Sequence, residues 1–172
     1  MTEINLLLGD ITKFRADAIV TAANRGLIGG GGVDGAIHSV AGPKLLKSLI
    51  KFKGCNPGDV VVTEAFELDA KFIIHAVGPI YAGGKNNESE LLFSTYYRCI
   101  EEAKLLKARS ILFPVISTGA YGYPFREAAL IALQAISVSC KKFNFRESVS
   151  IVCFDKNNLS IFQDLLKDSS YY

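Results

Sequence analysis

The stretch Ala18-Ile19-Val20-Thr21-Ala22-Ala23-Asn24-Arg25-Gly26-Leu27-Ile28-Gly29-Gly30-Gly31-Gly32-Val33-Asp34-Gly35-Ala36-Ile37-His38 decides the fold. Its opening, residues 18–22, reads as a short buried strand. Its close starts a helical pattern near Val33. Four consecutive glycines join the two parts. Glycine costs more backbone entropy on folding than any other residue, so such a run makes sense where the backbone must approach another object closely. The N–H groups that open the following helix face that object, and the helix dipole favours an anion there. A phosphate is the natural candidate.

Outward from this stretch, short apolar runs alternate with helical patterns, which predicts an α/β layered domain. Strands are expected at residues 4–8, 18–22, 60–66, 71–77, 110–115 and 149–154. Helices are expected at about 33–40, 44–52, 88–107, 125–141 and 159–167. The third of these helices repeats Leu92, Tyr96, Cys99, Ala103 and Leu106 at helical spacing. The runs at 111–113 and 149–154 lack alternation and suit central strands covered on both faces. In such a sheet, ligands bind beyond the carboxyl ends of the strands. No repeat or linker divides the chain, so residues 1–172 are expected to form a single domain. Tyr171-Tyr172 reads as a frayed tail.

The chain has 172 residues, 49% hydrophobic and 21% charged, values that exclude disorder. No apolar run approaches the roughly 20 residues that span a bilayer, and the first ten residues lack the pattern of a signal peptide. The expected location is the cytoplasm. Cys55, Cys99, Cys140 and Cys153 form no CxxC pair, and His38 and His75 show no ligand-like spacing with them. No metal site is expected from these residues, and reduced thiols are the simpler reading. A net charge of +2 with scattered lysines argues against a nucleic-acid partner.

Two more loops fall at strand ends. Gly9-Asp10-Ile11-Thr12 follows the first strand. Its aspartate suits either a turn cap or a carboxylate accepting a purine amine. Phe113-Pro114-Val115-Ile116-Ser117-Thr118-Gly119-Ala120-Tyr121-Gly122-Tyr123-Pro124 leads into a helix. It supplies hydroxyls and backbone N–H groups for phosphate oxygens, and Tyr121 could cover a sugar. Taken together, the loops suit a diphosphate with flanking sugars. The segment 30–35 matches GxGxxG, but no acidic residue ends the next strand, so the dinucleotide fingerprint fails. No GK[ST] follows the glycines, which excludes a P-loop.

These segments together resemble the macro domain family, within it the O-acetyl-ADP-ribose deacetylases and mono-ADP-ribosyl hydrolases. His75-Ala76-Val77-Gly78-Pro79 and Ala41-Gly42-Pro43 add to the match. The resemblance implies a three-layer α/β/α sandwich around a six-stranded mixed sheet. It implies that Asp10 binds the adenine amine, that Ile11 lines its pocket and that Phe154 packs on the ring. Gly31, Gly32 and Val33 would meet the phosphates with their backbone, as would Ser117, Thr118, Gly119, Ala120 and Tyr121. Asn24 would hold the distal ribose, and Asp34 would activate or orient water. The implied ligands are ADP-ribose, O-acetyl-ADP-ribose and mono-ADP-ribosylated proteins, with no cofactor. The alternative is a reader that binds ADP-ribose without turnover.

Two positions depart from the family pattern. Thr21 stands where Asn-Ala-Ala-Asn would begin, and Ser39 stands where an arginine is usual. An unperturbed aspartate titrates at about 3.9, so Asp34 is expected to be ionised at neutral pH. His38, one turn beyond Asp34, could orient it, whereas His75 reads as structural. Neither Ser117 nor any cysteine has an evident base, which disfavours a covalent route.

Overall fold

The computed structural model describes residues 3–168, and Tyr171-Tyr172 lies outside them. Six strands form one mixed sheet: β1 (Ile4–Leu8), β2 (Ala18–Ala22), β3 (Val60–Glu64), β4 (Phe72–Ala76), β5 (Ser110–Phe113) and β6 (Ser148–Cys153). Their order across the sheet is β1-β6-β5-β2-β4-β3. Every pairing is parallel except β3 with β4. The parallel strands therefore deliver their carboxyl ends, and the loops after Leu8, Ala22, Ala76, Phe113 and Cys153, to one edge of the sheet.

Five helices cover the two faces. These are α1 (Gly32–Ala41), α2 (Pro43–Leu49), α3 (Glu88–Leu105), α4 (Phe125–Lys142) and α5 (Lys156–Lys167). Strand residues alternate between faces. Ala18, Val20, Ile74, Ala76, Ile111 and Phe113 join Leu92, Tyr96, Ala132, Ile136 and Phe162 from α3, α4 and α5 in one buried core. Ile19, Ile73, Leu112 and Val152 join Ile37, Ala41, Leu45 and Leu49 from α1 and α2 in the other. The expected three-layer α/β/α sandwich with a six-stranded mixed sheet is what forms.

The differences from the expected elements lie at element ends. Helix α5 begins at Lys156 rather than Leu159, because the Asp155 carboxylate accepts the Asn158 N–H at 2.8 Å and caps it. The end of the second expected helix tightens into a 3-10 turn over Ile50–Phe52, closed by Lys53 at φ 55°. A further 3-10 turn, Ile11–Lys13, follows β1. It rests on Asp10, whose Oδ1 accepts the Thr12 N–H at 2.9 Å and the Thr12 hydroxyl at 2.7 Å.

Candidate functional site

Along the carboxyl edge, in the strand order β1-β6-β5-β2-β4, the loops stand side by side and rim a trough. Its first part is a largely apolar cavity of about 370 Å³, lined by Asp10, Ile11, Val33, Pro114, Val152 and Phe154 among others. Ile11 is buried, and Phe154 is 82% exposed. An aromatic ring that projects from a strand end over an apolar cavity offers a stacking surface. Asp10 Oδ1 is spent on Thr12, which leaves the other carboxylate oxygen for an external donor. The Thr12 hydroxyl, then its N–H, then Lys13 hold this carboxyl below its ordinary range against a small opposing cost of burial. Asp10 is thus both the turn cap and an available acceptor, and the two readings of the sequence are compatible.

The glycine-rich loop lies beside this cavity. Gly31 is the N-cap of α1 and gives it no side-chain hydrogen bond, so the first N–H groups of the helix stay open to an anion. Gly32 has φ +60°, and a Cβ there would meet nothing within 4 Å. The loop is therefore held open at its tip. Its base is packed instead: a Cβ on Gly35 would stand 2.4 Å from the Gly30 carbonyl oxygen. The Asn24 side chain braces the same loop, donating from Nδ2 to the Gly29 carbonyl and accepting the Ile28 N–H at 3.2 Å.

Next to it, on the strand that neighbours β2, stands the turn after β5. Ser117 is buried with φ +67°. Its hydroxyl donates to the Pro79 carbonyl at 2.8 Å, and the Thr118 hydroxyl donates to the Val115 carbonyl at 2.9 Å. Both hydroxyls are thus turned into the protein. Gly119 and Ala120 are exposed at the crest. Among the described residues, the backbone bonds of this turn run from Gly122 N–H to Gly119 and from Tyr123 N–H to Ser117. They leave the intervening N–H groups for a ligand, so the turn offers amides rather than alcohols. Tyr121 is half-buried, and its carbonyl accepts the Tyr81 N–H at 2.9 Å.

Beneath the trough lies a buried polar cluster that the sequence did not reveal as one. Asp34 is 5% exposed, and Thr21 and His75 are fully buried. The Thr21 hydroxyl donates to Asp34 Oδ1 at 2.9 Å. His38 Nε2 stands 3.6 Å from the same oxygen. His75 Nε2 meets the Thr63 hydroxyl at 2.9 Å, while its Nδ1 is buried without a partner. Burial pushes the Asp34 carboxyl above its ordinary range, although the Thr21 hydroxyl and then His38 oppose the shift. The Asp34 carboxyl therefore does not titrate as an unperturbed aspartate. Asp34, His38 and His75 each offer one donor atom within 4.8 Å of the others. Since Thr21 and Thr63 already hold two of these residues, we read the group as a hydrogen-bonded carboxylate site.

His75 carries a stability consequence. Burial, then repulsion from His38, lowers its pKa to about 3, while an unfolded histidine titrates at about 6.5. Between those values the unfolded chain binds the extra proton, so stability is complete above about pH 6.5 and declines as pH falls towards 3. From pH 6.5 to 4.5 this single group is expected to remove about 2 kcal/mol. Urea unfolding of wild type and His75→Gln at both pH values checks this. The variant should lose less stability than wild type over that interval, and parallel losses would refute the assignment.

Of the residues that the sequence singled out, Asp10, Ile11, Gly32, Val33 and Phe154 line the apolar cavity, Gly31 caps α1 beside it, Asn24 braces the glycine loop, Asp34 sits in the buried polar cluster, and residues 117–121 form the turn after β5. Sequence reasoning did not find the Thr21 contact to Asp34 or the Thr63–His75 pair. Alternation along β2 and β4 was a usable signal for both, since it sends Thr21 and His75 to the face that α1 covers.

Comparison with known proteins agrees with this geometry. The model of the Macro domain matches residues 20–132. The O-acetyl-ADP-ribose deacetylase of Enterobacter sp. (strain 638) is 45% identical over 168 residues, covering 95% of this chain and 93% of that protein. The Oceanobacillus iheyensis macrodomain with ADP superposes with a TM-score of 0.89 at 45% identity, covering 94% of this chain and 88% of the other. The Trypanosoma brucei macrodomain in complex with ADP-ribose gives 0.88 at 35% identity, covering 95% and 68%. Strand order, glycine loop and neighbouring amide turn thus coincide with a match over most of the chain, and the protein belongs to the macro domain family.

Proposed function

We propose that this protein binds ADP-ribose along the trough and hydrolyses ADP-ribosyl esters. The adenine occupies the cavity between Asp10, Ile11 and Phe154. The diphosphate lies between the α1 amides of Gly32 and Val33 and the amides of residues 117–121. The distal ribose reaches Asn24 and Asp34. The carrying observation is the juxtaposition of two open amide-lined turns with a buried carboxylate in the first turn of α1. That the Enterobacter relative is named an O-acetyl-ADP-ribose deacetylase supports a hydrolase over a reader.

In this reading Asp34 takes a proton from a water that attacks the ester carbonyl carbon. The bond from that carbon to the ribose oxygen breaks, the proton passes to that oxygen, and a carboxylic acid leaves. Burial suits the task, since a base works best when its pKa lies nearer the operating pH. The amide turns contribute by fixing the ribose. The ester is one of acetate or of a protein carboxylate; a hollow of about 250 Å³ lined by Arg25, Val77, Pro79, Ile80 and Tyr121 supports an acceptor larger than acetyl. Mono-ADP-ribosylated protein is therefore included among the substrates. Residues 1–172 act as one domain, and reduced thiols at the cysteines support the cytoplasm as the place of action.

Calorimetric titration with ADP-ribose, followed by acetate release from O-acetyl-ADP-ribose, tests the reading. Absence of measurable ADP-ribose affinity overturns it, and affinity without turnover reduces the protein to a reader. Phe154→Ala gives a local check. Loss of base stacking costs about 1–3 kcal/mol, so ADP-ribose affinity should fall roughly 5- to 150-fold. Because the ring is exposed, the melting temperature should stay unchanged. Undiminished affinity would remove Phe154 from the adenine site.

A further inference from the structure

Thr21 is the penultimate residue of β2 and Asp34 lies in the first turn of α1, and the hydrogen bond between them is buried. We propose that Thr21 is a positioning residue for ester hydrolysis: its hydroxyl fixes Asp34 Oδ1 so that Oδ2 alone is offered to the water. The inference rests on the hydrolase reading and on Asp34 as the base.

Three observations carry it. The first is that both polar neighbours of the carboxylate, the Thr21 hydroxyl at 2.9 Å and His38 Nε2 at 3.6 Å, address Oδ1. Among the described residues nothing donates to Oδ2, and Oδ2 is not one of the sealed, unpartnered atoms. The second is that Thr21 is fully buried, so no water can replace its hydroxyl. A β-branched side chain in a strand is also stiff at χ1, which makes it a fixed donor. The third is register. Thr21 sits beside His75 in the β2–β4 pairing, and Thr63 holds His75 from behind. The groups facing Asp34 are therefore Thr21 from β2, His38 from its own helix and His75 from β4. His75 is neutral at working pH, so the hydroxyl and His38 are what favour the ionised carboxylate. Removing the hydroxyl should both free the carboxylate to rotate and raise its pKa.

The experiment measures kcat and KM for O-acetyl-ADP-ribose against pH in wild type, Thr21→Val, Thr21→Ser and Asp34→Asn. ADP-ribose affinity and the ¹³C titration of the Asp34 carboxyl are followed alongside. Thr21→Val keeps the shape and removes the donor. Its kcat should fall roughly tenfold or more, with KM and ADP-ribose affinity within about threefold. The acid limb of its profile and the carboxyl titration should both move to higher pH. Thr21→Ser should restore the rate and the limb. Wild-type kcat and limb in Thr21→Val overturn the proposal, and so does affinity that falls in step with kcat, which would mark a residue that only builds the pocket. Equal defects in the serine and valine variants overturn it as well. Thr21→Ala takes the place of Thr21→Val if the latter does not fold. Full turnover in Asp34→Asn sinks the base reading itself, whereas loss there beside normal rates in Thr21→Val removes Thr21 alone.

Discussion

Asp34→Asn is expected to lower turnover of O-acetyl-ADP-ribose by about 10²–10⁴-fold, the usual worth of a positioned proton acceptor. Asparagine keeps the size of the side chain and an oxygen that can accept the Thr21 hydroxyl, now 2.9 Å from Asp34 Oδ1. It removes the group that can accept a proton from water. ADP-ribose affinity should stay within about threefold, because the amide turns that grip the diphosphate are untouched, so the loss falls on kcat. Stability supplies an independent check. The folded-state pKa of Asp34 is raised, so in the window above its ordinary pKa the folded protein binds the proton more tightly than the unfolded chain. Stability therefore falls as pH rises through that window, the opposite sign to His75. At neutral pH the buried charge is a cost, and Asp34→Asn should melt at or above the wild-type temperature. A variant that turns over normally with affinity intact would take Asp34 out of the chemistry. One that melts well below wild type would show that the carboxylate serves the fold instead.

Gly35→Ala sets two effects of opposite sign against each other. Intrinsic helix propensity favours alanine by about 1 kcal/mol. The added Cβ, however, would stand 2.4 Å from the Gly30 oxygen and 3.3 Å from its carbon. Both are backbone atoms of a loop already tied down by Asn24 and by the Gly35 N–H to Gly31 bond at 3.1 Å. Overpacking of this kind costs about 1–3 kcal/mol. The clash is expected to win, lowering stability and moving the glycine loop off the diphosphate, with ADP-ribose affinity down roughly tenfold or more, equivalent to about 1.4 kcal/mol. Gly31→Ala is the control, since a Cβ there meets nothing within 4 Å. Urea unfolding and calorimetry read both variants. A stabilised Gly35→Ala with unchanged affinity would show that the loop yields freely and that close packing against α1 does not position it.

Most of the site was legible because its parts are local. Glycines between a strand and a helix, an aspartate two residues before the threonine it caps against, and a Ser-Thr-Gly turn each announce their backbone chemistry within a few residues. The direction of the side chains within those parts was less legible. The loop reads as offering both hydroxyls and backbone N–H groups to phosphate, yet the Ser117 and Thr118 hydroxyls are spent on Pro79 and Val115, which leaves the amides. Asn24 reads as a ribose ligand, yet it also braces the loop that carries the glycines. Thr21 reads only as a departure from the family's asparagine, yet it touches the acid directly.

The sequence by itself determined the strand and helix pattern, the two-sided burial of the central strands, and the three loops at strand ends. Those features follow from periodicity and from glycine and proline chemistry, which act over a few residues. Only the tertiary structure decided that Thr21, Asp34, His38 and His75 share one buried space. That depends on β2 pairing with β4 in the register that sets Thr21 beside His75, and on α1 turning Asp34, Ile37, His38 and Ala41 towards the same face. It also decided the state of the acid, because a carboxyl's pKa is set by the solvent it loses and the donors it gains, and neither is written in the neighbouring residues of the chain.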